Sequence, residues 1–109
     1  MAAERVVLIT CPDQSTARAL AGALVSERLA ACVNLVPGVE SVFWWEGRVD
    51  RTQEVLLIVK TTSRRLAALT KAVKQRHPYQ VPEILALPVV SGYPPYLAWM
   101  RDSLRTPRS

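Results

Sequence analysis

Apolar positions along this chain switch between a period of two and a period near 3.6, and the switches mark its elements. Arg5-Val6-Val7-Leu8-Ile9-Thr10 is a β-branched run with polar ends, which predicts a buried central strand. Pro12-Asp13-Gln14-Ser15 stops it, and Asp13 or Ser15 can cap a helix. Ala17, Leu20, Ala21, Leu24 and Arg28 then recur at helical spacing, widened by Val25 and Leu29, so a helix is expected over about 15–29. From Ala31 to Thr61 the period returns to two, and the stretch reads as one long β-hairpin. Pro37-Gly38 interrupts the outgoing arm, where a kink is expected. Beyond it Val39, Ser41, Phe43 and Trp45 share one face, and Glu40, Val42 and Trp44 the other. Glu46-Gly47 supplies the turn. The returning arm starts as polar Asp50-Arg51-Thr52-Gln53-Glu54 and becomes Val55-Leu56-Leu57-Ile58-Val59. Its first half therefore belongs to an overhang outside the core, its second half to the core itself.

Ser63 is expected to cap a second helix, with Leu66, Leu69 and Val73 on its apolar stripe and His77-Pro78 closing it. Tyr79-Gln80-Val81-Pro82 forms a loop held stiff by the prolines that flank it. A fourth strand is predicted over 83–90, where Pro88 suits an edge position. Gly92-Tyr93-Pro94-Pro95 leads into a last helix with Leu97, Met100 and Leu104 as its stripe, and 106–109 read as a frayed tail. The order βαββαβ plus a C-terminal helix predicts an α+β, ferredoxin-like antiparallel sheet covered by two helices. That topology brings Cys11, His77-Pro78-Tyr79 and the base of the overhang to one edge. Cys32 falls at the opposite edge, which argues against a Cys11–Cys32 disulfide.

At 109 residues the chain is one domain, 1–109, with an ordered part expected over about 4–105. No apolar run approaches the ~18–20 residues of a membrane span, and the N-terminus lacks signal-peptide shape, so a cytoplasmic protein without membrane contact is expected. The net charge is +5. The basic residues are dispersed, and the densest group, 64–76, lies on a predicted helix where a solvated face is the simpler account. Two cysteines indicate a reducing compartment rather than a disulfide scaffold. No nucleophile–base pair, phosphate-binding glycine loop or paired catalytic carboxylates can be read from spacing, so no enzyme is expected. The topology is shared with RNA-binding RRM domains, but those carry aromatics on the third strand, and this one offers Val55 to Val59 without any. Nucleic acid is therefore not an expected partner, and an RRM-like module or an enzyme with sites at subunit boundaries are the alternatives.

The arms of the hairpin are more than twice the usual strand length of about 5–6 residues, and the tip carries Phe43, Trp44 and Trp45. A domain this small cannot cover them, so a second copy of the chain is the expected cover.

The ordered set Leu29-Ala30-Ala31-Cys32-Val33-Asn34, Pro37-Gly38, Trp44-Trp45-Glu46-Gly47, Lys60-Thr61-Thr62, His77-Pro78-Tyr79 and Val81-Pro82-Glu83-Ile84 resembles the CutA (CutA1) divalent-cation tolerance family. The resemblance covers most of the chain. It implies a homotrimer, similar in architecture to the PII signalling proteins, in which the long hairpins pack edge to edge. It also implies a role in divalent-metal tolerance, with copper binding in some members and no cofactor needed for folding. Metal binding in relatives is attributed to a first-strand cysteine and a His-His pair before Pro-Tyr. Here the strand position holds Ile9, with Cys11 two residues on, and the pair reads Arg76-His77. Cys11 and His77 are thus the candidate metal ligands, for a soft ion such as Cu(I). A small buried thiol and a helix-end histidine are the simpler structural accounts. Lys60, Tyr79 and Glu83 are candidates for a cleft that takes a small anionic ligand, with an ion pair as the plainer account of Lys60. Phe43, Trp44 and Trp45 are assigned to the trimer interface.

Overall fold

The computed structural model describes residues 3–105, and the expected frayed tail at 106–109 lies outside the described residues. The elements are β1 (Glu4–Cys11), α1 (Gln14–Ser26), β2 (Cys32–Trp45), β3 (Arg48–Thr62), α2 (Leu66–Arg76), β4 (Leu85–Pro88) and α3 (Pro94–Ser103). The sheet is antiparallel with strand order β2-β3-β1-β4, as the ferredoxin-like reading requires.

One face of the sheet carries the core. Val7, Ile9 and Cys11 of β1 and Val55, Leu57 and Val59 of β3 are buried with Leu20 and Leu24 of α1 and Leu69 and Val73 of α2. Each such side chain contributes roughly 1.5–3 kcal/mol of burial. Residues directly opposite in the register share a face, so Val6 and Leu8 of β1 join Leu56, Ile58 and Lys60 of β3 on the side away from these helices. We refer to that side as the open face.

The composition switch in β3 marks where the sheet leaves the core. Arg48 to Gln53 are exposed, and burial begins at Glu54. The Pro37-Gly38 interruption is a bulge. Val36 pairs with Leu56 and Val39 with Glu54, so β2 spends one residue more than β3, with Gly38 at φ 74°. One extra residue inverts the in–out alternation of β2. Val33 and Leu35 point to the helices before the bulge; Val39, Ser41, Phe43 and Trp45 belong to the open face after it. A two-residue turn closes the hairpin with Glu46 at φ 49° and Gly47 at φ 79°, the pair of positive angles that matches strand twist.

Some expected boundaries shift. The first helix ends at Ser26 rather than near Leu29, because Arg28 adopts φ 61° and turns the chain back. Asp13 is its cap, accepting the Thr16 N–H at 2.7 Å. Ser63 does not cap the second helix; it opens a 3-10 turn, Ser63–Arg65, that leads into α2 without a side-chain cap bond. The fourth strand shrinks to Leu85–Pro88 and pairs only with β1, at the sheet edge.

The C-terminal helix is tied to the far end of the sheet. Met100 and Leu104 pack with Ala31, and Leu97 packs against them. Arg101 bonds the buried Glu4 carboxylate at 2.9 Å, and Arg28 donates to the Ser103 carbonyl at 2.8 Å.

Candidate functional site

Where the hairpin leaves the core, a cleft of about 840 Å³ opens between the ribbon and the loop after α2. Its floor is Thr10 and Glu54, its ribbon wall Ser41, Phe43 and Trp45, and its loop wall Pro78 to Val81 with Glu83. The bulge makes this possible, since it turns Phe43 and Trp45 to the face that Glu54 and Thr10 occupy.

A hydrogen-bond chain fixes the loop wall. His77 sits just past the last turn of α2 and is buried. Its Nε2 meets the Thr10 carbonyl at 2.7 Å, and its Nδ1 meets the Tyr79 N–H at 3.1 Å. A carbonyl only accepts and a backbone N–H only donates, so the network assigns the neutral tautomer with the proton on Nε2. The His77 and Tyr79 rings lie 4.7 Å apart. Tyr79 then donates its hydroxyl to Glu54 Oε2 at 2.8 Å. Strand β1, the end of α2 and strand β3 are thus joined through three consecutive loop residues.

Burial dominates the electrostatics. The Cys11 thiol, enclosed in the core, is pushed up to about 11, first by burial and then by Asp13 and Glu54. Burial and the bond to Glu54 push the Tyr79 hydroxyl up to about 12. The Glu83 carboxyl is raised by burial and by the nearby Glu54 charge.

The loop His77 to Tyr79 and the base of the hairpin meet at this edge, as the topology implies. Tyr79 and Glu83 line the cleft together with Phe43 and Trp45. Lys60 does not. It lies six residues from Glu54 along β3, about 20 Å by strand rise, beside Cys32 and Asn34. There its ammonium donates to Asn34 Oδ1 and stands 3.9 Å from Cys32 Sγ. Of the candidates Lys60, Tyr79 and Glu83, the single chain brings Tyr79 and Glu83 together beside Glu54 and places Lys60 at the other end of β3. Thr10, Phe43 and Glu54 are the cleft residues that sequence reasoning undervalued. The one signal was position: Glu54 is the last polar residue before the Val55 run.

The CutA1 divalent ion tolerance protein family profile matches residues 5–103. The chain belongs to this family. It is 54% identical over 100 residues to the divalent-cation tolerance protein CutA of Thermus thermophilus, covering 92% of this chain and 97% of that one. Against the Escherichia coli CutA of the same description the identity is 48%, covering 92% and 89%. It is 52% identical to the chloroplastic CutA 1 of Oryza sativa, where the match covers 92% of this chain and 56% of the relative's length. Among solved structures, CutA1 from Oryza sativa superposes with a TM-score of 0.92 at 50% identity, covering 95% of each chain. That from Thermus thermophilus gives 0.91 at 54%, covering 92% of this chain and 97% of the other. The CutA ferredoxin-like fold and membership of a family named for divalent-cation tolerance are thereby established for this chain. The relatives' names describe tolerance proteins, not a catalysed reaction.

Cys11 and His77 do not fit a metal as they stand. Both nitrogens of His77 are already bonded. Cys11 faces the helices, on the side of the sheet opposite the cleft, with its thiol fully enclosed and held protonated, whereas a metal ligand must be thiolate. Among the described residues no three His, Cys, Asp or Glu side chains converge on a point that would hold an ion.

Proposed function

We propose that this CutA-family chain works as a homotrimer whose long hairpins pack against neighbouring copies. In this reading it serves divalent-metal tolerance by binding a ligand or metal ion at clefts that those copies border. The observation that carries the reading is the overhang. Val42, Phe43, Trp44, Trp45 and Val49 are all exposed on the isolated chain, Trp44 at 74%. So much apolar surface on a free ribbon favours self-association. The outer edge of the fourteen-residue β2 adds outward-facing backbone groups at alternate positions. The copy number of three rests on the family resemblance. Copper enters as an ion handled by the assembly rather than by a Cys11–His77 pair within one chain. A cytoplasmic site of action suits two cysteines that are both free thiols.

Sedimentation and light scattering test the assembly. The wild-type chain is expected at three times its monomer mass, and Trp44→Ala with Trp45→Ala should yield monomers or aggregates. A stable trimer from the double variant would refute the interface assignment. Calorimetric copper titration tests the metal part: Cys11→Ser and His77→Ala should each change affinity less than about twofold, because both ring nitrogens of His77 are bonded and the Cys11 sulfur is enclosed and protonated. A tenfold loss in either would restore that residue as a ligand.

A further inference from the structure

We propose that the cleft at the hairpin base is a binding site for a small organic cation, a protonated amine carrying an apolar or aromatic body. The proposal rests on the reading of this cleft as the ligand site and names its ligand class.

Three observations carry it. The first is Glu54, whose residue is only 7% exposed. Its Oε2 accepts from Tyr79, while Oε1 accepts no hydrogen bond among the described residues. No fully enclosed side-chain oxygen lacks a partner among the described residues, so Oε1 is reached from the cleft that Glu54 lines. A carboxylate this desolvated gains most from a donor that carries positive charge. The second is the local sign of charge. Asp50, Glu54 and Glu83 line the cleft against the single guanidinium of Arg51, in a chain whose net charge is +5. The third is the wall. Tyr79 and Val81 supply aromatic and aliphatic surface around the carboxylates, beside Phe43 and Trp45, which the assembly reading also sets against a neighbouring copy, and such a wall suits an ammonium group with a hydrocarbon body. The volume of about 840 Å³ falls within the ~300–1,000 Å³ typical of small-molecule sites.

Spacing decides between an organic cation and a bare metal ion. The carboxylates do not draw together into a metal-holding group. A bare ion needs several oxygens at one point, whereas an amine with a body uses one buried carboxylate and spreads the rest of its contacts over the walls. Glu83, with its proton affinity raised beside Glu54, gains from the same positive charge.

The test titrates the intact assembled protein with 2-phenylethylamine and with 1,4-diaminobutane, using 2-phenylethanol as the neutral isostere and magnesium and manganese chlorides as metal arms. Saturable amine binding is expected at one site per chain, with no binding of the alcohol. Glu54→Gln keeps an acceptor for Tyr79 and should weaken amine binding about tenfold or more. Glu83→Gln should weaken it severalfold, and Lys71→Gln, exposed on α2 and outside the cleft lining, should leave it unchanged. Tyr79→Phe frees Oε2 and should retain binding. The proposal is overturned if neither amine binds saturably, if Glu54→Gln binds as the wild type does, or if either metal displaces the amine through Glu54. Sedimentation of the same samples separates the two readings. A trimer without amine binding removes the cation assignment alone, and amine binding by a monomer removes the assembly alone.

Discussion

Cys11 in the core and Tyr79 in the cleft make the fold sensitive to alkali, and the sign is set by where each proton sits. Folding raises the Cys11 thiol from its ordinary 9.0 to about 11, so the folded chain holds a proton that the unfolded chain releases. The stability this contributes is complete below pH 9 and is lost as pH rises through 11. Tyr79 acts in the same direction between 10 and about 12. Urea unfolding at pH 8 and pH 10.5 should show a drop in stability for the wild type and a smaller drop for Cys11→Ala. An equal drop in both would remove Cys11 as a source of the alkaline limb. Residue by residue, the sequence was legible where local rules dominate. Asp13 caps because it precedes a helical stripe, and Gly47 turns because it accepts positive φ. Ser63 failed because the 3-10 turn it opens displaces the start of the helix proper to Leu66. Lys60 shares a face with Glu54, but strand rise sets the two about 20 Å apart within one chain.

At the scale of elements, the hairpin is two ribbons joined at Pro37-Gly38. Deleting Gly38 removes the residue that β2 spends over β3, so Val39 should stay opposite Glu54, and Phe43 and Trp45 should keep facing the cleft on a strand of one regular alternation. The deletion variant should keep its helical circular dichroism and its tryptophan fluorescence. A changed fluorescence would show that the register beyond the bulge has slipped. The fourth strand illustrates a limit on reading elements from pattern. Residues 83–90 carry strand-like composition, yet pairing begins only at Leu85. Tyr79 is bonded to Glu54 on β3, and the chain must cross from β3 past β1 before it can pair with the outer side of β1. That tether is long-range, and no local pattern reveals it.

For the whole molecule, topology was the most legible level, because βαββαβ order and right-handed crossovers leave few arrangements. The edge at which Thr10, His77 and Tyr79 meet was readable from topology alone. The burial of Glu54 was not, since it depends on a loop closing over an otherwise polar ribbon. If the copies assemble through the overhang, folding is linked to association, and the thermal midpoint should rise with protein concentration. Scanning calorimetry over a hundredfold concentration range checks this; a midpoint independent of concentration would point to a chain that is stable alone.

The charge inversion at the cleft has a kinetic consequence. A chain of net charge +5 repels cations at long range, while the carboxylates of the cleft attract them only within about a Debye length, near 10 Å at 0.1 M salt. Added salt first screens the long-range repulsion, so the encounter rate of a cation with this cleft should rise with ionic strength even as the bound complex loosens. Association and dissociation then both accelerate in salt, the reverse of the slowing of association seen when opposite charges steer one another together.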